Sequence, residues 1–211
     1  MAIGVFGGTF NPVHMGHLRV AEEIREDFRL DSVYFIPSHV PPHKDADAAG
    51  PAGERLEMLK AAVRGNAFFK VSDLEIRRGG VSYTIDTLKK LERRFDDIYF
   101  IIGIDAFSQI DTWYHYEELF YHAGFIVMMR PASPPADIPD ILPESVRRKL
   151  TVLTDTTCRH ESGKTICLRP VTKMDISSTK VRDLLKGSRS IKYLVPPGVE
   201  RIIIERGLYR S

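Results

Sequence analysis

Gly4-Val5-Phe6-Gly7-Gly8-Thr9-Phe10-Asn11-Pro12-Val13-His14-Met15-Gly16-His17 joins three kinds of segment in one short run. Residues 2–6 are apolar and read as a first buried strand. Gly7 and Gly8 read as a turn. A helix start follows, with two imidazoles three residues apart. A helix N-terminus carries unpaired backbone N–H groups and the positive end of the helix dipole, so this order presents donors to an anion. The dinucleotide fingerprint G-x-G-x-x-G cannot be laid onto Gly4, Gly7, Gly8 and Gly16, and the Gly-Lys-Ser/Thr of a Walker A loop is missing. His14 and His17 stand at i and i+3 and face one ligand if the helix begins near His14 or Met15. They suit hydrogen bonding to phosphoryl oxygens as charge builds there. A metal pair would need a third ligand, and none is evident nearby.

Outward from this run, short Val-, Ile- and Phe-rich stretches alternate with helix-period ones. Residues 17–28 place Leu18, Ala21, Ile24 and Phe28 on one helix face. Further strands are expected over 32–37, 68–72, 98–102 and 125–129. Helices are expected over 54–63 (Leu56, Leu59, Ala62 and Val63 inward), over 82–95, and around 112–122. Such alternation with apolar strands predicts a parallel sheet covered on both faces. Residues 131–143 form a proline-rich connector. The last third offers two short strands, 151–153 and 165–168. Between them, the polar stretch 154–164, with Cys158, His160 and Gly163, is expected to be an exposed loop. Helices are expected over 178–185 and 199–206, with Gly187 just past the first and Gly207 at the C′ position of the second.

The chain of 211 residues suits one large α/β domain, alone or with a small subdomain. Its net charge of +2 argues against a general nucleic-acid-binding surface, so any basic site must be local. Cys158 and Cys167 stand nine positions apart, which fits no common zinc or CxxC pattern, and they read as reduced thiols. No apolar stretch reaches the ~18 residues of a membrane span. The N-terminus lacks the basic region and long apolar core of a signal peptide, so a cytoplasmic location without a membrane partner is expected.

In open parallel sheets, ligands bind beyond the carboxyl ends of the strands. Four segments begin just past expected strand ends: 7–17, 38–44, 103–105 and 130–131. A fifth segment, Ile176-Ser177-Ser178-Thr179-Lys180-Val181-Arg182, makes physical sense by itself. Its hydroxyls can cap a helix whose first-turn N–H groups hold phosphate, and Arg182, one turn on, is always cationic. In Val40-Pro41-Pro42-His43-Lys44 the prolines stiffen a loop that holds two basic groups outward. Trp113, the only tryptophan, stands beside Tyr114 just after an expected N-cap at Asp111 or Thr112. It reads either as a core residue or as a face for stacking on a planar ring.

His14-Met15-Gly16-His17 resembles the HxGH motif of the nucleotidyltransferase superfamily, and residues 176–182 resemble its ISSTxxR motif. Within that superfamily the chain is similar to the family of bacterial nicotinate-nucleotide adenylyltransferases. The likeness extends through 7–14, 40–44, Ser82-Tyr83-Thr84, Ile101-Ile102-Gly103-Ile104-Asp105, Thr112-Trp113-Tyr114 and Gly207-Leu208-Tyr209-Arg210, nearly end to end and in order.

The resemblance implies a Rossmann-like α/β fold: an open parallel sheet with helices on both faces and a small C-terminal helical segment. It implies one domain over 1–211, with a core over 1–130 holding the first motif and a part over 131–211 holding the second. It implies adenylyl transfer between ATP and nicotinate mononucleotide, yielding nicotinate adenine dinucleotide and pyrophosphate. His14, His17, Lys44 and Arg182 would be catalytic. Gly7, Gly8, Thr9, Phe10, His17, Gly103, Asp105, Arg130, Ile176, Ser177, Ser178, Thr179 and Arg182 would bind ATP, with Asp105 at a ribose hydroxyl and Arg130 on the adenosine side. His43, Lys44, Thr84, Trp113 and Tyr114 would bind the mononucleotide, with Trp113 stacked on nicotinate. Mg²⁺ would arrive with ATP, and no protein metal site is expected. A homo-oligomer is compatible with these readings. The rivals are another small-substrate nucleotidyltransferase, such as a phosphopantetheine adenylyltransferase or a cytidylyltransferase, and a nucleotide-binding regulator without turnover.

Overall fold

The computed structural model describes residues 1–42, 50–129 and 137–210. Strands β1 (Ala2–Gly8), β2 (Ser32–Pro37), β3 (Phe69–Val71), β4 (Asp97–Gly103), β5 (Gly124–Met129), β6 (Leu150–Thr154), β7 (Thr157–His160) and β8 (Thr165–Pro170) form one eight-stranded sheet. Its order is β3-β2-β1-β4-β5-β8-β7-β6. All pairings from β3 to β8 are parallel, as the alternation of elements predicts. β7 runs antiparallel between β6 and β8.

Period-2 alternation divides the sheet's side chains between two cores. Ile3, Val5, Ile98, Phe100, Ile102, Phe125 and Val127 join one of them. They meet α3 (Leu74–Arg78), α4 (Thr84–Leu91), α5 (Ile104–Phe107) and α6 (Tyr116–His122) through Leu74, Leu88, Phe107 and Phe120. Phe6, Val33, Phe35, Ile101 and Ile126 join the other. They meet α1 (Met15–Asp27), α2 (Ala52–Ala62), α8 (Ser178–Lys186) and α9 (Pro197–Glu205) through Ile24, Met58, Val181 and Ile203. The short α7 (Glu144–Arg147) adds Val146 to the first core. Apolar strands with helices on both faces are thus borne out.

Several local expectations are corrected. Gly7 and Gly8 do not turn: they stay in β1 and pair with Ile36 and Pro37, because the parallel ladder continues to the strand's end. The turn follows, with Phe10 in the left-handed region (φ 51°). A Cβ at Gly8 would approach the Phe10 ring to 3.2 Å, so glycine there makes room for that ring. The stretch 154–164 is not a simple exposed loop. It contains β7, in which Cys158 and His160 are buried while Arg159 points outward. A four-residue strand with only two inward side chains is too short to leave a periodic signal.

The helix expected around 112–122 begins at Tyr116. Residues Ile110–Thr112 form a separate 3₁₀ turn, and Trp113 follows it in extended backbone. The inward face of α2 is Arg55, Met58 and Leu59, whereas Leu56 is half-buried.

Phe125 is fully buried, with Phe120, Phe107 and Phe100 at centroid distances of 4.8, 5.6 and 6.0 Å. Phe125→Ala is expected to cost about 3–5 kcal/mol. Urea unfolding checks this; a midpoint equal to wild type would refute the packing.

Candidate active site

Strand order reverses direction between β1 and β4, and the crevice beyond that switch point is where an open α/β sheet takes its ligand. Three adjoining cavities lie there. The first runs from Gly7, Gly8 and Thr9 past Gly103 to Thr84, Trp113 and Tyr114. The second is lined by His14, His17, Gly103, Asp105 and residues 171–177. The third, of about 600 Å³, adjoins both. It shares Gly7, Gly8 and Thr9 with the first, and His14, His17, Ile176 and Ser177 with the second. Phe6, Phe10, Asn11, Ser178, Thr179 and Arg182 complete its wall. The HxGH and ISSTxxR residues, far apart in sequence, therefore face one space.

Long-range hydrogen bonds hold the two motifs together. The Ser178 hydroxyl donates to the Pro12 carbonyl (2.8 Å), and the Arg182 guanidinium donates to the Asn11 carbonyl (2.7 Å). Arg182 also reaches Thr179 Oγ1 at 3.3 Å. Ser177 caps α8, its hydroxyl accepting from Lys180 N–H (3.1 Å). Neither α1 nor α8 carries an acidic residue in its first turn, so both N-termini keep their positive ends toward the cavity.

The imidazoles of His14 and His17 stack with centroids 3.7 Å apart. His17 Nδ1 accepts from the His14 backbone N–H (3.2 Å), which leaves the proton of neutral His17 on Nε2, as a donor. Phe6 and Phe10 wedge edge-on against the His17 ring. His14 is buried and its Nδ1 has no hydrogen-bond partner among the described residues. Burial lowers its pKa to about 4, so the ring is neutral at pH 7. A Cβ on Gly16 would sit 3.1 Å from His14 Nδ1, so the glycine between the histidines gives the ring its place.

Trp113 is half-buried at the wall of the first cavity, edge-on to Phe100. Tyr114 is exposed and packs against Tyr83 at 4.4 Å. Thr84 opens α4 on the same wall, and Asp105 is exposed at the rim of the second cavity. His43, Lys44 and Arg130 lie outside the described residues.

Sequence reading misses several residues here. Asn11 lines the third cavity, and its side-chain oxygen accepts from the Tyr209 hydroxyl (2.6 Å). Burial pushes the Tyr209 pKa up to about 12, so that hydroxyl stays a donor. Glu75, buried on α3, lines the first cavity and accepts from Thr87 Oγ1 (2.6 Å). Burial raises its pKa, against the opposing pull of Thr87, Ser82, Arg78 and Arg55. Arg55, also buried, had a signal: it completes an i, i+3, i+4 inward set with Met58 and Leu59.

Comparison with known proteins agrees with this geometry. The Cytidylyltransferase-like family model matches residues 5–184. A probable nicotinate-nucleotide adenylyltransferase of Syntrophotalea carbinolica is 42% identical over 214 residues, spanning 100% of this chain and 98% of the relative. One from Geobacter sulfurreducens is 41% identical over 212 residues, spanning 99% and 98%. This chain belongs to the nicotinate-nucleotide adenylyltransferase family. Its fold resembles the Plasmodium falciparum nicotinic acid mononucleotide adenylyltransferase complexed with NaAD (TM-score 0.71, 19% identity, 99% of this chain and 97% of that one). No helix among the described residues is long and apolar enough to cross a membrane.

The depressed pKa of His14 has a thermodynamic consequence. Unfolding exposes an imidazole of ordinary pKa near 6.5. Between that value and about 4 the unfolded chain binds the extra proton. This contribution is therefore full above the ordinary value and is lost as pH falls, at up to about 1.4 kcal/mol per pH unit. His14→Asn is expected to lose less stability than wild type between pH 7 and 5 in urea unfolding. Equal losses would refute a neutral, buried His14.

Proposed function

We infer that this chain joins nicotinate mononucleotide and ATP to give nicotinate adenine dinucleotide and pyrophosphate. One observation carries the reading most directly: residues of both phosphate motifs line one cavity, which adjoins a cavity walled by Trp113, Tyr114 and Thr84. Three adjoining cavities, read as a ring site, a phosphate site and a second nucleoside site, match the parts of a dinucleotide. Relatives that share this chain's full length are probable enzymes of this activity.

The reaction needs no side-chain nucleophile. An oxygen of the mononucleotide 5′-phosphate attacks the α-phosphorus of ATP. A bond forms there, the bond to the β-phosphate bridging oxygen breaks, and pyrophosphate leaves with that oxygen and its electron pair. Catalysis comes from placing two anions in line and stabilising the charge that spreads over the equatorial oxygens. His17, with its Nε2 proton, holds an α-phosphate oxygen. His14 orients the reacting phosphate. Arg182 and the N-terminus of α8 gather the β- and γ-phosphates and then the leaving pyrophosphate. Lys44 adds charge and His43 a further polar group, both from the stretch that follows β2 in sequence.

On this reading, Trp113 gives its face to the pyridine ring, and amide groups near Thr84 and Tyr114 meet the ring carboxylate. Asp105 takes a ribose hydroxyl, and Arg130 contacts the adenosine side. Mg²⁺ enters as part of the ATP substrate. Among the described residues no group of three or more His, Cys, Asp or Glu could hold a metal. Phosphate oxygens and water fit this ion's preference, and it supplies charge neutralisation on the phosphates.

Pyrophosphate release from ATP, and its absence with CTP, tests the reading and separates it from a cytidylyltransferase. His17→Ala is expected to lower turnover about 10²–10³-fold with little change in thermal midpoint. Near-wild-type turnover in a folded variant would remove His17 from the mechanism. Trp113→Ala is expected to weaken mononucleotide binding while sparing ATP, as read by titration calorimetry of each ligand. Equal loss of both affinities would make Trp113 a packing residue.

A further inference from the structure

Arg55 is 1% exposed, yet its guanidinium reaches three separate segments around the cavities. It donates Nη1–H to the Thr9 carbonyl (2.9 Å), Nη2–H to the His39 carbonyl (3.1 Å) and Nε–H to the Gly50 carbonyl (3.3 Å). Burial lowers its pKa, with Glu75 and Tyr209 opposing, but a guanidinium stays charged in proteins. Burying a long cation against neutral acceptors is costly, and apolar side chains would fill this helix face at lower cost.

The three acceptors lie on different segments beside the site. Thr9 lines both the ring-side and the phosphate cavity. His39 belongs to the segment after β2, and its backbone N–H is bonded to Ser82 Oγ (2.8 Å). The same segment is braced by Ser82 N–H on the Val40 carbonyl (2.8 Å), directly before Tyr83 and Thr84. Gly50 opens the approach to α2 (φ 66°), where a Cβ would meet Asn11 Oδ1 at 3.2 Å. One planar fork thus ties the turn that faces phosphate to the strand of contacts that ends at the ring cavity.

We propose that Arg55 is a positioning residue that sets the register between the phosphate half and the ring half of the site. It touches neither substrate. It fixes the distance between the two phosphorus centres by locking Thr9 and His39 to one rigid group. The proposal rests on the adenylyl-transfer reading. In-line attack tolerates little displacement: misplacement by about 1 Å can cost on the order of 10²-fold in rate. A flexible lysine keeps the charge but loses the planar fork that binds several carbonyls at once.

The test uses the full chain as wild type, Arg55→Lys and Arg55→Gln. Folded fraction is taken from near-ultraviolet circular dichroism, and calorimetry gives the affinity of each substrate separately. Steady-state pyrophosphate release then gives kcat and KM per folded molecule. Arg55→Lys is expected to lower kcat about 10- to 100-fold, with each separate affinity within threefold of wild type. A kcat within twofold of wild type in a folded variant overturns the proposal, whatever KM does. So does failure of both variants to fold, which would make Arg55 purely structural. Absence of turnover in wild type itself would instead sink the adenylyl-transfer reading.

Discussion

The Ser178 hydroxyl on the Pro12 carbonyl and the Arg182 guanidinium on the Asn11 carbonyl join groups 166 and 171 residues apart in the chain. Everything at the phosphate cavity depends on that junction. Without it, α1 and α8 would each present an isolated N-terminus to solvent, where an anion is held weakly and screened by salt. With it, two helix ends, two imidazoles and one guanidinium surround a single space. The Tyr209 hydroxyl on the Asn11 side chain adds a third tie, from 198 residues away. Tyr209 thus supports the site through Asn11 without lining the cavity.

The cavity keeps its charge balance through burial as well as through formal charge. His14 is pushed toward neutrality because its burial disfavours the charged ring, and Gly16 yields the space that allows this. Glu75 is shifted in the opposite direction on the pKa scale by the same cause, and so also toward its neutral form. Tyr209 keeps its proton far above neutral pH. Arg55 and Arg182 instead retain charge, and both spend donors on backbone carbonyls of the turn after β1. A turn gripped from two sides by guanidinium groups suits a site that must hold two anions in line.

Much of this was legible in one dimension. The strand-to-helix transition at 2–17 and the i, i+3 spacing of His14 and His17 announce an anion site, because a helix N-terminus is polar for reasons of backbone geometry alone. The apolar strands announce a parallel sheet, because burial on both faces removes polar alternation. The residues 176–182 announce a capped helix with a cation one turn on. Less legible were β7, whose two inward residues are too few for a period, and α3, a short helix that carries Glu75. Arg55 carried only its i, i+3, i+4 spacing to Met58 and Leu59 as a signal, and an arginine at an inward helix position runs against the usual apolar pattern.

The chain's residue order determined most of the strands and helices and which of them end in groups that attract phosphate, since those properties are local and follow from periodicity, capping and charge. Tertiary structure alone decided that Gly7 and Gly8 remain extended, that Trp113 sits outside a helix, and that Asn11 meets both Arg182 and Tyr209. The physical reason is that strand pairing, burial and long-range hydrogen bonds are cooperative. A residue's partner there is chosen by the packing of the whole sheet and its helices, and no local spacing carries that choice.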